Sequence, residues 1–392
     1  MMALPLDGIR VLDFTQVEFG PVCTQALGDF GADVIKVERE GSGDLSRWSL
    51  RDPAGPDNPV FVSLNRNKRS VALDVRAEAS RQIIEEIARR SDVVVNNFRT
   101  GVMERLGLGY EDMRKLNPRI VYAMGSGYGP KGPYAHKGGQ DVLAQALTGA
   151  MARRADPSQP LAIYGTALAD YSAGMLLVQG ILLALMARDR TGEGQKVEVS
   201  LYDALLSMQL QEATAWLMRG MDLNWAAQPL SGVFEAEDGP LVIVGAFKKN
   251  PLRDICAALE LDDLSLLPEF ADDVAQKAHK PELQRVFRDR ISQGPRERWL
   301  QRLEHVDILC APVLSIGEAL ESEQVAASQM VLRMDHPAGE VTTLANPVKL
   351  SATPASVRRR PPQLGEHTRE VLAELGLQLD PAVTGGAGET GT

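Results

Sequence analysis

Four short apolar runs rich in β-branched residues, Ile9–Phe14, Val34–Val37, Val93–Val95 and Ile120–Met124, punctuate the first 125 residues, and a segment of helical character lies between each and the next. A strand that reaches its neighbour through a helix runs parallel to it. The alternation therefore predicts an α/β fold, a parallel sheet with helices on both faces. Pro21 suits the first turn of a helix running through Leu27, and Gly31 closes it. Ile83–Ala88, a short segment after Thr100, and Tyr110–Leu116 supply the later helices. Beyond them the pattern predicts a helix over Gln140–Gly149, an irregular stretch with Pro157 and Pro160, a long helix from Ala169 to Arg188, a strand over Val197–Leu201 and a helix over Asp203–Met218.

Near Asn224 the texture changes. Gly232–Ala246 reads as a hairpin with Asp238-Gly239 as its turn, and charged amphipathic helices follow at Leu252–Leu259, Pro281–Ile291 and Glu297–His305. A chain of 392 residues is long for one core. The expected division is a large domain over 1–222, a smaller α+β domain over 223–329, and a segment over 330–392 that carries a helix at His367–Leu375. The Gly/Thr-rich tail Thr384–Thr392 is expected to be disordered.

Several function classes lose support. The net charge is −10, unlike a nucleic-acid-binding chain with a broad basic face. Arg66, Lys68 and Arg69 form a basic cluster, read as a solvated loop. The longest apolar stretch, Met175–Ala187, is short of the roughly 20 residues of a membrane span, so a buried helix and no membrane partner are expected. Met1–Arg10 lacks a secretory pattern. Cys23, Cys256 and Cys310 lie far apart, which fits free thiols in a reducing cytoplasm, and neither they nor the five histidines have metal-ligand spacing. Gly125-Ser126-Gly127-Tyr128-Gly129 follows a strand, but Pro130, Gly132 and Pro133 after it cannot open the helix that a dinucleotide site needs.

Asp170 stands where a strongly apolar helix begins. A first-turn aspartate can simply complement the helix dipole. It can also be a reactive carboxylate beside helix N–H groups that stabilise developing negative charge. The residues alone leave both readings open.

A series of blocks along the whole chain resembles the family III CoA-transferases, the family of the formyl-CoA:oxalate and carnitine CoA-transferases. They are Leu6–Phe14 with Gly20-Pro21, Gly31–Glu38, Asn67–Ser70, Asn97-Phe98, Leu116–Val121, Ala169-Asp170, Thr191–Gln195, and Pro362 with Gly365–Thr368. Each is weak alone; eight in order are specific. The resemblance implies a Rossmann-like large domain to which the segment 330–392 returns, an interlocked homodimer, and transfer of CoA from an acyl-CoA to a free carboxylic acid through an aspartyl mixed anhydride on Asp170. CoA and acyl-CoA are then substrates, and no cofactor is implied. It further implies that Arg39, Leu73 and Arg76 hold the adenosine and its phosphate, that Asn97 and Arg105 hold the pantetheine and phosphate portions, and that Val17, a sixth CoA contact, and Glu18 lie on the active-site loop. The family often has Gln at the position of Glu18, so a second catalytic carboxylate is expected here. α-Methylacyl-CoA racemases share the fold, but their histidine aligns with Gln140, which is neither acid nor base near neutral pH. Racemisation or epimerisation, or acyl-CoA binding without catalysis, are the alternatives.

Overall fold

The computed structural model describes residues 3–49, 58–337 and 339–377. The tail expected to be disordered lies outside them. The chain forms two compact units, one of Met1–Ala150, Ile163–Gln209 and Gln329–Thr392, the other of Met151–Ala162 and Leu210–Ser328. Residues 151–162 and 210–222, assigned from sequence to the large domain, thus sit in the second unit.

The first unit is built on six parallel strands, β1 (Arg10–Asp13), β2 (Asp33–Arg39), β3 (Lys68–Leu73), β4 (Val93–Asn96), β5 (Val121–Ser126) and β6 (Lys196–Ser200). Their order is β3-β2-β1-β4-β5-β6, and every neighbouring pair is parallel. That is the doubly wound order, with the switch point between β1 and β4. The chain leaves β1 and β4 there in opposite lateral directions, which opens a crevice at their carboxyl ends.

The helices that bear on the site are α1 (Phe19–Asp29), α2 (Glu78–Arg89), α3 (Asp141–Leu147), α4 (Leu168–Thr191) and α5 (Leu201–Met208). One face of the sheet packs Val11, Val93, Val95 and Ala123 against Phe19, Cys23 and Leu27 of α1 and Ala173, Leu177 and Ile181 of α4. The other packs Leu12, Ile35, Val71 and Val94 against Ile84 and Ile87 of α2 and against Val371 and Leu372 near the C-terminus. Asn67 Oδ1 accepts the N–H groups of Arg358 and Arg359, and Ala72 N–H donates to Thr368 Oγ1, so the C-terminal segment lies along the β3 edge.

Two expectations change. The cluster Arg66, Lys68, Arg69 is not a solvated loop. All three are at least 97% buried, and Lys68 and Arg69 open strand β3. Acid partners explain it: Arg66 pairs with Asp29 at 2.6 Å, and Arg69 with Asp33 and Glu374, each at 2.6 Å. The long apolar helix is buried on one face only. Ala169, Ala173, Leu177 and Ile181 point inward, while Tyr171, Leu183 and Met186 are about half exposed. Full-length α4 is long and apolar enough to cross a membrane by length and composition; its inner face is instead part of the core.

The second unit holds an antiparallel sheet of β7 (Ser231–Ala236), β8 (Gly239–Val244) and β9 (Leu309–Pro312) in that order. The expected hairpin forms with its turn one residue early: Ala236 pairs with Gly239, leaving Glu237-Asp238 as the loop. Helices α6 (Pro251–Ala258), α7 (Lys280–Ile291) and α8 (Arg296–His305) cover the sheet around Phe234, Ile243, Phe287 and Trp299.

Candidate active site

Charged residues inside otherwise apolar parallel strands need partners, because an isolated buried charge is very costly. β1 ends in Asp13, which lies in register with Lys36 of β2, and Lys36 lies in register with Ser70 of β3. Asp13, Lys36 and Lys68 are all fully buried. Lys36 Nζ sits 2.8 Å from Asp44 Oδ2 and donates to the Thr15 carbonyl at 2.6 Å. Lys68 Nζ lies 3.4 Å from Asp13 Oδ2 and donates to Asn65 Oδ1. Burial pulls the Lys68 ammonium down to about 8, despite the opposing charge of Asp13. Asp13 in turn accepts from Thr15 Oγ1 and Thr24 Oγ1.

This buried network carries the loop that leaves β1. Asp13 Oδ1 accepts the Thr15 N–H, Asn97 Oδ1 accepts the Gln16 N–H, and Asp44 Oδ1 accepts the Val17 N–H. Val17 has φ +66°, a left-handed conformation that strains a β-branched residue. The chain so held delivers Glu18 as the residue that opens α1.

Asp170 arrives from the other side, in the first turn of α4. The two helices touch there at backbone level: a Cβ on Gly174 would lie 2.7 Å from the Phe19 carbonyl oxygen. Glu18 and Asp170 lie just before these contact points, and neither carboxylate has a hydrogen-bond or ion-pair partner among the described residues. Burial, then the charges of Glu18 and Asp141, pushes Asp170 up to about 7. Glu18 is also raised, by burial and then by Asp141.

Sequence reasoning missed Asp141 as a separate participant. It sits at the start of α3, 6% exposed, and its Oδ1 accepts from the N–H groups of Ala169 at 2.6 Å and Asp170 at 3.3 Å. Its Oδ2 accepts from Gln145 Nε2, and Gln145 Oε1 accepts the Tyr164 N–H. α4 has no cap from its own N-cap residue, Ala167, so a carboxylate from another helix supplies it. The helix N–H groups expected to favour charge on Asp170 are therefore already taken by an acid. The detectable signal was an acid opening a predicted helix; its target lay 28 residues away and could not be read.

At the carboxyl ends of β2, β3 and β4 lies a cleft of about 820 Å3, lined by Gln16, Arg39, Leu73, Arg76, Phe98 and Arg105 among others. Four of the six expected CoA contacts, Arg39, Leu73, Arg76 and Arg105, thus share one cavity. The three arginines have no ion-pair partner among the described residues, although most arginines of this unit are paired. Unpaired guanidinium groups around a cavity suit phosphate. Asn97 is not on the wall. Its amide accepts from Gln16 N–H at 2.8 Å and donates to the Gln16 carbonyl at 2.7 Å, which fixes the loop. Val17 is likewise off the wall, 40% exposed beside Glu18.

The family model for CoA-transferase family III matches residues 6–368. A formyl-CoA:oxalate CoA-transferase of Streptomyces coelicolor is 36% identical over 405 residues, spanning 96% of this chain and 97% of its own. A succinyl-CoA:glutarate CoA-transferase of Mus musculus is 33% identical over 381 residues, spanning 95% and 86%. Among solved structures, a CAIB/BAIF family protein of Brucella suis superposes with a TM-score of 0.85 at 29% identity, over 95% of this chain and all of the other. The match runs nearly the whole length of the chain: it belongs to CoA-transferase family III and is an enzyme of that family.

Proposed function

We propose that the protein moves CoA between an acyl-CoA and a free carboxylic acid through an acyl–aspartyl mixed anhydride on Asp170. The observation that carries this is a half-buried carboxylate, without a partner among the described residues, at the meeting point of two helix N-termini. Asp170 attacks the thioester carbonyl carbon, the C–S bond breaks, and CoA leaves as thiolate with the electron pair. The CoA thiolate attacks the aspartyl carbonyl of the anhydride, giving an aspartyl-CoA thioester and releasing the donor acid as carboxylate, and the acceptor carboxylate then expels CoA to form a second anhydride; alternatively the acceptor attacks the first anhydride at the aspartyl carbonyl and displaces the donor acid directly. CoA thiolate finally attacks the acceptor's acyl carbon, forming the product thioester and freeing the Asp170 carboxylate. A carboxylate suits the role because its anhydride remains reactive enough to pass the acyl group on. CoA is a substrate here, and the chemistry so written needs no cofactor.

The cleft supports a binding mode in which Arg39, Arg76 and Arg105 hold phosphate groups and the apolar wall at Leu73 and Phe98 receives the adenosine. Gln16 lines that cleft, two residues before Glu18, which supports a ligand whose reactive end reaches toward the carboxylates. The exposed apolar stripe of α4 supports the interlocked homodimer, since a helix apolar all round needs a cover. The reduced state of Cys23, Cys256 and Cys310 fits a cytoplasmic protein.

The test is chemical trapping. A panel that includes formyl-CoA with oxalate and succinyl-CoA with glutarate identifies a working donor and acceptor by mass spectrometry of the thioesters. Hydroxylamine added with that donor should inactivate the enzyme and place a hydroxamate on the peptide carrying Asp170. A hydroxamate on the Glu18 peptide instead would falsify the role assignment.

A further inference from the structure

Attack on a thioester carbonyl places negative charge on its oxygen, and a donor must meet that charge. The mouth of α4 is the obvious source, but its N–H groups are occupied. Leu168 N–H donates to the Thr166 carbonyl, Ala169 and Asp170 N–H donate to Asp141, and Tyr171 N–H donates to the Ala167 carbonyl. The neighbouring group with no partner among the described residues is the Glu18 carboxyl, on the residue before Phe19, whose carbonyl packs against Gly174 one turn beyond Asp170, near enough for its charge to act on Asp170.

We propose that Glu18 acts in its protonated form as the hydrogen-bond donor to the thioester carbonyl oxygen while Asp170, ionised, attacks the carbon. This rests on the reading of Asp170 as the nucleophile. Two carboxylates held together retain one proton between them well above the usual carboxylate range, and both members of this pair are pushed up, Asp170 to about 7. The proton belongs to the pair; the reactive arrangement has it on Glu18. In the tetrahedral intermediate the oxyanion accepts from the Glu18 O–H. On collapse the carbonyl re-forms, the C–S electron pair leaves with sulfur, and Glu18 keeps its proton. The ionisable groups around Glu18 are Asp170 on α4, Asp141 on α3, Asp44 at the Val17 N–H with Lys36 behind it, and Asp13 and Lys68 beneath α1. The near ones are acids, which favours keeping the proton.

The rival donors are the N–H groups of Phe19 and Gly20 at the start of α1. The experiment is a pH profile of kcat/KM between 5 and 9 for the full chain, using the donor–acceptor pair found by the panel. Wild type should lose activity above about pH 7 as the pair gives up its proton. Glu18→Gln, whose amide donates at every pH, should lack that alkaline limb. Glu18→Ala should lower kcat by roughly 100- to 1000-fold at pH 6, a gap that narrows above pH 7 as wild type itself loses the donor, with CoA affinity by calorimetry little changed. A wild-type profile that rises through 7 to a plateau overturns the proposal, as does an alkaline limb that persists in Glu18→Gln. An unimpaired Glu18→Ala overturns it too and assigns the oxyanion to the Phe19 and Gly20 amides. Asp170→Asn separates the two levels: if it keeps transfer the nucleophile reading fails, whereas if it is dead and Glu18→Gln keeps its limb, only the donor role fails.

Discussion

The Asp44 carboxylate accepts the Val17 N–H at 3.0 Å while Val17 is held at φ +66°, so a fully buried ion pair with Lys36 bears directly on a strained residue next to Glu18. A left-handed β-branched residue costs on the order of 1–3 kcal/mol. Val17→Gly removes that strain but adds about 0.5–1 kcal/mol of backbone entropy. Its melting temperature should stay level or rise while kcat falls, because the loop is no longer confined to one shape. A lower melting temperature with unchanged kcat would show that Val17 contributes packing rather than position.

Asp44 should also set an acid limit on stability. Burial alone would raise its carboxyl, but the Lys36 charge and the hydrogen bonds from Lys36, Ser46 and Val17 outweigh burial and hold it at about 2. A folded value below the unfolded one, near 3.8, stabilises the fold above pH 4, and that stability is lost as pH falls from about 4 toward 2. The size is about 2 kcal/mol. Asp44→Asn leaves Lys36 less compensated in the interior and should cost about 3–5 kcal/mol at pH 7. Urea unfolding at pH 7 and pH 3 checks both: the gap between wild type and Asp44→Asn should narrow at the lower pH.

Arg39→Ala and Arg76→Ala should weaken CoA binding by roughly tenfold to a hundredfold each, the worth of a charge-assisted contact of about 1.5–3 kcal/mol. Both guanidinium groups line a cleft whose wall includes neither Glu18 nor Asp170, so ground and transition states should suffer alike. The loss belongs in KM at near-constant kcat. A large fall in kcat with KM unmoved would place these residues at the chemistry.

A dimer buried on the outer face of α4 should not tolerate charge there. Leu183, 57% exposed, can accept a carboxylate in a monomer without touching the core. Leu183→Glu should therefore leave helix content unchanged by circular dichroism while reducing the dimer mass by light scattering. A wild-type protein of monomer mass at all concentrations would rule out the assembly itself.

The strands could be read from the chain because most are runs of β-branched residues; β3 could not, because it opens with Lys68 and Arg69. Those two side chains look solvated until Asp13, Asp33 and Glu374, from three other segments, are brought beside them. The same reason divides the site. Asp170 and the arginines are singled out by the family resemblance; the local sequence of Asp170 leaves a helix-dipole reading equally open. Asp141 at the mouth of α4 and Asp44 under Val17 act across 28 and 27 residues, and only the fold makes those distances short.

Asp170 should be a source of instability that the enzyme retains for chemistry. Its carboxyl is raised from 3.8 to about 7, by burial first and then by Glu18 and Asp141. For an acid raised on folding, the associated stability is complete below the unfolded value and disappears as pH climbs through the folded one. Between pH 4 and 7 the wild-type fold therefore loses on the order of 2–4 kcal/mol through this residue. Asp170→Asn keeps the volume and carries no charge, so it should match wild type near pH 4.5 and be more stable by several degrees at pH 8. The same variant should be inactive in transfer, since a neutral amide is a poor nucleophile. Melting curves at the two pH values decide the matter. Equal stability at pH 8 would mean that Asp170 is comfortably ionised in the resting enzyme, and that the pair with Glu18 does not hold a proton.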